Sequence, residues 1–411
     1  MKRVVGKILL WFLIIVAYAS IGGESFGHGD PIARISQSHL YSFMDWEVSN
    51  LANKTWFQIK KVLPGSHPSI QERVQDVRRY FALTDQINGL RDKLNGPAIA
   101  DASAVESQLT EIEDQRAVLQ PIVEDTLQSM LGAALKSENL DLNLLVAHPL
   151  WPPFHFKMGQ LPKLLIVSPR DKIEAQTTVL LRSDMTIRDS ENIESAVAKR
   201  DRSGLVDDIG GLATYPSLLP DNYSLRSVLN IAAHEWTHQY LFFHSLGQHY
   251  DTNGDMTAIN ESVADMVGGE IGDRVYKEYF ATPEELRPPP PPSTEEPDSS
   301  EPPPFNFNKE MRTTRLRVDE LLGLGKIDEA ESYMNERRQY LQDNGYYVRK
   351  LNQAYFAFHG NYADSPASVS PVGGMLQQLR NHSTSLGQFV KEVANFSSYD
   401  DLKRAVGILP N

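Results

Sequence analysis

The sequence predicts an α+β protein, mainly α, in which a small mixed sheet and a long histidine-bearing helix are flanked by helical regions on both sides. Three observations predict it. Apolar residues recur at three and four residue spacings among charges over residues 30 to 148 and again over 308 to 411. Between Pro149 and Pro220 the pattern changes to short β-branched and aliphatic runs. The long helix that follows carries two histidines one turn apart.

Composition agrees with a folded globular chain. Of 411 residues, 41% are hydrophobic and 23% charged, which excludes a disordered polymer and a multi-pass membrane protein. Forty Lys and Arg against 53 Asp and Glu give a formal charge of −13. With no segregated basic patch, that charge repels phosphate backbones, so no nucleic acid is expected as a partner. The absence of cysteine removes disulfides, thiolate zinc sites, iron–sulfur clusters and cysteine nucleophiles together.

The N-terminus reads as a targeting segment. Lys2, Arg3 and Lys7 precede the uncharged run Ile8 to Ala19, which is short for a bilayer span of about 20 residues, and Ala17-Tyr18-Ala19 offers small residues to a signal peptidase. Residues 1–29 are therefore expected to be a cleaved signal peptide or an N-terminal membrane anchor with its basic end in the cytoplasm. Either places the remainder outside the cytoplasm, as a secreted, periplasmic or anchored protein.

Helices are expected over Ile32 to Lys61, Ser69 to Leu94 and Asp101 to Ser137, punctuated by Pro64-Gly65 and Asn95-Gly96-Pro97. They make residues 30–148 a helical N-terminal region. Strands are expected at Leu164 to Val167, Thr177 to Leu181 and Gly211 to Leu219, with loops at Asp171-Lys172 and Asp201 to Gly204. A helix from about Ser224 to Phe243 and another starting near Asn260 complete a central lobe over 149–286. Five consecutive prolines, Pro288 to Pro292, followed by acidic residues mark 287–307 as an extended linker or surface loop. Residues 308–411 form a helical C-terminal lobe broken at Gly325, Gly345, 360–372 and near Ser397.

The chemistry concentrates in Ala233-His234-Glu235-Trp236-Thr237-His238-Gln239. Histidines four residues apart project from one helix face and can bind the same Zn²⁺, and Glu235 on the adjoining face is placed to accept a proton from a metal-activated water. A catalytic zinc needs a third protein ligand and an open position. Glu261 is the first candidate, with Asp265 four residues on, on the same face, where it can take a hydrogen bond from the outer nitrogen of a ligand histidine. His244 is the second, because His234-x3-His238-x5-His244 has the metzincin spacing. That spacing needs a sharp turn at a glycine, and Leu241 stands there. Asp251-x-Asn253-x-Asp255 begins like a calcium loop, but Met256 and Ser262 occupy its glycine and bidentate positions, so an EF-hand is rejected.

His234-Glu235-x-x-His238 together with Asn260-Glu261-x-x-x-Asp265 resembles the gluzincin metallopeptidases, the thermolysin-like and aminopeptidase N-like group, over about residues 160 to 275. The resemblance implies one Zn²⁺ held by His234, His238 and Glu261, with Glu235 as general base and Asp265 behind a ligand. It also implies an oxyanion donor from the C-terminal helices, for which Tyr355 and His359 are the candidates. The strand comparable to the one that grips a substrate amino terminus in the aminopeptidase branch, Gly210 to Tyr215, carries no glutamate, which counts against aminopeptidase specificity. The expected function is zinc-dependent hydrolysis of peptide bonds in a peptide or protein substrate, with membrane association through residues 1–29 if that segment is uncleaved. The alternatives are a non-catalytic zinc-stabilised binding or scaffold protein at the membrane surface and a zinc hydrolase of a non-peptide substrate. An intact Glu235 counts against the scaffold, since structural zinc has no use for a base.

Overall fold

The computed structural model describes residues 31–41, 68–94, 102–142, 148–287, 305–360, 365 and 367–409. The expected signal peptide or anchor at 1–29 lies outside them, as do residues 42–61 of the first expected helix and residues 288–304 of the proline-rich stretch. No described helix is long and apolar enough to cross a membrane.

The chain begins with α1 (Pro31–Ser36) and a 3-10 turn (Gln37–His39), then two long helices, α2 (Ile70–Leu94) and α3 (Ala102–Ser137). Ser69 and Glu72 start α2 reciprocally: the Glu72 backbone N–H donates to Ser69 Oγ at 3.2 Å and the Ser69 N–H to Glu72 Oε2 at 2.7 Å. Val77, Tyr80, Phe81, Thr84 and Ile87 then recur at helical spacing as the buried face of α2.

The sheet region follows as β1 (Phe156–Gly159), β2 (Lys163–Pro169), β3 (Thr177–Leu181), α4 (Ile187–Ala198), β4 (Arg202–Asp208) and β5 (Ser217–Pro220). It holds two sheets rather than one. β3, β2 and β4 are antiparallel in that order, with Leu165 opposite both Val179 and Val206, while β1 and β5 form a separate parallel pair. β2 is apolar along its length because both of its faces are covered. Leu165 and Val167 pack with Ile193 and Val197 of α4, and Ile166 packs with Ala354 on the other side.

Then come α5 (Leu225–Phe242), the short α6 (Ser245–Gln248) and α7 (Gly254–Tyr279), and after the proline-rich stretch α8 (Phe307–Gly323), α9 (Ile327–Asp343), α10 (Gln353–His359), α11 (Val372–His382), α12 (Leu386–Val393) and α13 (Tyr399–Ala405). α5 and α7 cross closely because Gly268 and Gly272 of α7 present no side chain to Asn230. A Cβ at Gly272 would lie 2.7 Å from the Asn230 backbone nitrogen.

Most expected elements are present, with several differences, the first being β1, where no strand was expected. α4 was not expected, although Thr186 and Asp189 form a capping box at its start. β4 begins at Arg202, inside the loop expected at 201–204. The strand expected over 211–219 contracts to β5, with Leu212 doubling back to bridge Leu218. α7 starts at Gly254 rather than near Asn260, because the Asn253 side chain accepts the Met256 N–H at 3.0 Å and caps it.

The largest apolar cluster joins α2, α3, β1, α5 and α7 with α11, α12 and α13, around the fully buried Trp236. A second cluster holds α8, α9 and α10 together. Residues 308–411 therefore contribute to two apolar clusters, and the last three helices share the core of α5 and α7.

Candidate metal centre

α5 is capped by Ser224, whose Oγ accepts the Ser227 N–H at 3.3 Å. Val228, Leu229, Ala232, Ala233, Trp236 and Leu241 of α5 belong to the main core. His234 and His238 thereby share another face, at 14% and 16% side-chain exposure. Their Nε2 atoms lie 2.9 Å apart. From α7, Glu261 brings Oε2 to 3.7 Å from His234 Nε2 and 3.5 Å from His238 Nε2. His234, His238 and Glu261 form the group that could hold a metal ion.

Each of these side chains is turned by a partner at its outer atom. His234 Nδ1–H donates to Asp265 Oδ1 at 2.9 Å and His238 Nδ1–H to Asn260 Oδ1 at 2.8 Å. The Tyr250 hydroxyl donates to Glu261 Oε1 at 2.5 Å. With the outer nitrogens protonated, both Nε2 atoms point inward as bare lone pairs. Glu261 Oε2 points inward too, buried and without a hydrogen-bond partner among the described residues. Three electron-pair donors at such spacing repel one another unless a cation lies between them.

The dimensions suit zinc. A tetrahedral site with bonds of about 2.05 Å has ligand atoms about 3.3 Å apart, and the observed separations of 2.9, 3.5 and 3.7 Å bracket that value. Without a metal, protons must supply the charge. Burial disfavours protonation of His238, yet the Glu261 carboxylate outweighs it and lifts the imidazole to about 9. Burial likewise pushes Glu261 up, but His238, His234 and the Tyr250 hydroxyl bring it down to about 2.

Glu235 is 6% exposed and packs against Gly211 in the loop between β4 and β5. A Cβ at Gly211 would overlap the Glu235 carboxylate, 2.7 Å from Cδ and 2.9 Å from Cγ. Burial pushes this carboxyl above its ordinary range, opposed by the charge of His234 and His238. The loop itself is fastened to α5 by Gln239, whose side-chain amide donates to Ser217 Oγ at 2.8 Å and to the Thr214 carbonyl.

The remaining candidates lie elsewhere. His244 ends α5, bonded through Nδ1 to the Tyr240 carbonyl at 2.8 Å and stacked on the Tyr240 ring, so it is not part of the cluster. Tyr355 and His359 sit on α10 against the β2–β4 sheet. His359 Nε2 is 3.0 Å from Asp207 Oδ2, and the Tyr355 ring lies 4.3 Å from the His359 ring, its hydroxyl pushed up to about 12 by burial and by Asp207. Among the described residues no hydrogen bond joins either to His234, His238 or Glu261. The side that α10 turns inward is occupied with covering β2 and β4.

Sequence reasoning missed Tyr250, Gly211 and the part played by Asn260. Asn260 stands one residue before Glu261, where adjacency to a ligand was the available signal. Tyr250 and Gly211 come from loops, where no periodicity points to them.

Comparison with protein-family models, curated proteins and solved structures gives no match for this chain.

Proposed function

We propose that the chain is a zinc-dependent peptidase of gluzincin type, with His234, His238 and Glu261 as metal ligands and Glu235 as general base. One observation carries the reading: three ligand atoms converge, each turned inward by its own outer partner, next to a buried carboxylate on the same helix. A structural zinc site closes all four positions with protein ligands, whereas three ligands beside a base leave room for water and substrate.

Bound Zn²⁺ would supply Lewis acidity, polarising the substrate carbonyl and making water acidic enough to lose a proton near neutral pH. Glu235 takes that proton as the water oxygen bonds to the carbonyl carbon. It returns the proton to the amine nitrogen as the C–N bond breaks. Asp265 and Asn260 fix the imidazole tautomers, and Tyr250 keeps Glu261 turned with Oε2 toward the metal. A peptide substrate is supported by the exposed end of β4 at Asp208, three residues before Gly211, which itself packs against Glu235, where an extended chain can add as a strand. An extracytoplasmic location, secreted or anchored, rests on the sequence of residues 1–29.

The test is to purify the full chain, measure zinc per chain, and assay a diverse peptide library with the native protein and Glu235→Gln. One zinc per chain in both, with cleavage reduced about 10²- to 10⁴-fold in the variant, is expected. Equal cleavage by the two proteins would sink the mechanism. Stoichiometric zinc with no cleavage by either would favour the zinc-stabilised binding protein.

A further inference from the structure

Single exposed apolar residues are ordinary, whereas a contiguous apolar patch marks a surface that another molecule covers. The described residues form such a patch away from the candidate metal centre, where the start of α8 meets the end of α9. Phe307 stacks on Tyr346 with 4.8 Å between ring centroids, Tyr346 meets Phe305 at 5.3 Å, and Phe305 meets Tyr340 at 5.7 Å. Tyr340 and Tyr346 are 41% and 40% exposed and Tyr347, next in sequence, is 78% exposed, so the row is open to a partner. Phe305 and Phe307 rest on the second apolar cluster, which gives the row a firm base. Arg337 lies 4.4 Å over the Tyr340 ring and pairs with Glu310, holding that ring in place.

The patch is apolar in its rings and rich in donors at its rim. Among the described residues the hydroxyls of Tyr340, Tyr346 and Tyr347 have no hydrogen-bond partner, and the Arg338 guanidinium is bonded only to the neutral side chains of Asn335 and Gln342. A molecule that fits this surface is itself apolar, rich in carbonyl acceptors and poor in N–H donors. Consecutive prolines have that chemistry, with ring carbons along their length, a carbonyl at every residue and no N–H at any. They also hold the polyproline II conformation unaided, so little ordering entropy opposes their docking on aromatic side chains.

The chain carries such a run, Pro288 to Pro292. At about 3.1 Å per residue it is about 12 Å long, comparable with the row of rings. Between it and Phe305 stand Glu295, Glu296, Asp298 and Glu301 with no Lys or Arg, which complements Arg338 and the exposed Lys309, two residues after Phe307. The run leaves its own chain at the other core. Pro288 follows directly on Arg287, beyond the end of α7, which is fastened to α2 where Arg78 donates to the Phe280 carbonyl at 2.7 Å. A short, stiff run starting there is aimed by its own chain, whereas the same run on a second copy can approach the patch from any side.

We propose that two copies of the chain associate reciprocally, Pro288–Pro292 of each lying across the aromatic row of the other. Each copy gives one run and receives one, so the contact is isologous and the assembly closes at two chains. Neither contact has to be strong, because the first to form makes the second intramolecular.

The test is sedimentation equilibrium of the full chain, native and in two variants. One variant replaces all of Pro288–Pro292 by Ser; the other carries Tyr340→Ala and Tyr347→Ala. The native chain is expected to be a dimer at roughly tens of micromolar, and each variant alone to associate at least about tenfold more weakly. Circular dichroism should be unchanged in the tyrosine variant, because both side chains are exposed. Mixed together, the two variants should pair with one another more tightly than either pairs with itself, through the one intact run and the one intact row that remain. A synthetic peptide of residues 286–294 should bind the serine variant and not the tyrosine variant. A dimer that survives both changes, or variants that fail to pair when mixed, would overturn the exchange. A monomeric native chain would overturn it too: if only the serine variant then binds the peptide, the run occupies its own chain's row, and if neither protein binds it, the row is no proline site.

Discussion

At the scale of single residues, the two histidines of the candidate metal centre were legible because helix geometry is regular. Histidines four residues apart must share a face, whatever surrounds them. Gly211 and Tyr250 were not legible, because they reach the site from loops whose paths no pattern of spacing encodes. Each carries a prediction. Gly211→Ala puts a methyl group into the Glu235 carboxylate, whereas Gly210→Ala puts one into open space. Turnover should fall about 10²-fold or more in the first, as the base leaves its place, with zinc content kept, and stay within about twofold in the second. Equal effects in the two would show that Gly211 is not what positions Glu235. Tyr250→Phe removes the hydrogen bond to Glu261 Oε1. Loss of such an outer partner costs about 10- to 100-fold in metal affinity, readable by competition with a chromophoric chelator. An unchanged affinity would remove Tyr250 from the site.

At the scale of elements, the proposed ligands come from two helices, so the site is only as good as the crossing of α5 and α7. The existence of both helices was readable; the start of α7 was not, because Asp251 to Asp255 carries polar turn residues that in fact lead into the Asn253 cap. β4 was hidden in the same way, since Arg202 and Ser203 read as loop until Leu205 and Val206 pair with β2. The crossing depends on Gly272, where a Cβ would lie 2.7 Å from the Asn230 nitrogen and 2.8 Å from its Cα. Backbone atoms cannot rotate away as a side chain can. Gly272→Ala should therefore separate the helices, costing about 1 to 3 kcal/mol, and weaken zinc binding as Glu261 moves from the histidines. At Gly269 a Cβ would meet nothing within 4 Å. Gly269→Ala should gain about 0.5 to 1 kcal/mol from helix propensity with zinc affinity unchanged. Thermal melts and zinc titration of the pair test this directly, and a Gly272→Ala protein as stable and as tight for zinc as the native would refute the dependence.

At the scale of the whole molecule, ion pairs join segments that lie far apart in sequence. Glu194 of α4, 3% exposed, holds Arg349 and Lys350 of the segment before α10 and the β4 backbone at Val206. Burial pushes its carboxyl up, but the hydrogen bonds from Arg349, the charge of Lys350 and the Val206 N–H more than reverse this, so it lies below its ordinary value. A carboxyl whose folded pKa is depressed stabilises the fold fully above the unfolded value of about 4.3 and loses that contribution as pH falls through the folded value. Glu194→Gln should cost about 3 to 5 kcal/mol at pH 7, because it leaves Arg349 and Lys350 without their counter-charge. As pH falls below about 4.3 the unfolded chain protonates Glu194 while the fold still holds it ionised. Below the depressed folded value both are protonated, so the native protein loses its advantage and the two proteins should converge. Loss of metal at acid pH lowers both curves alike, so the difference in Tm between native and variant isolates Glu194. That difference should be constant from pH 7 to 5 and shrink from there toward pH 3. A difference that stays constant to pH 3 would mean that Glu194 has the same pKa folded and unfolded, and that the packing around it, rather than its charge, joins α4 to the segment before α10.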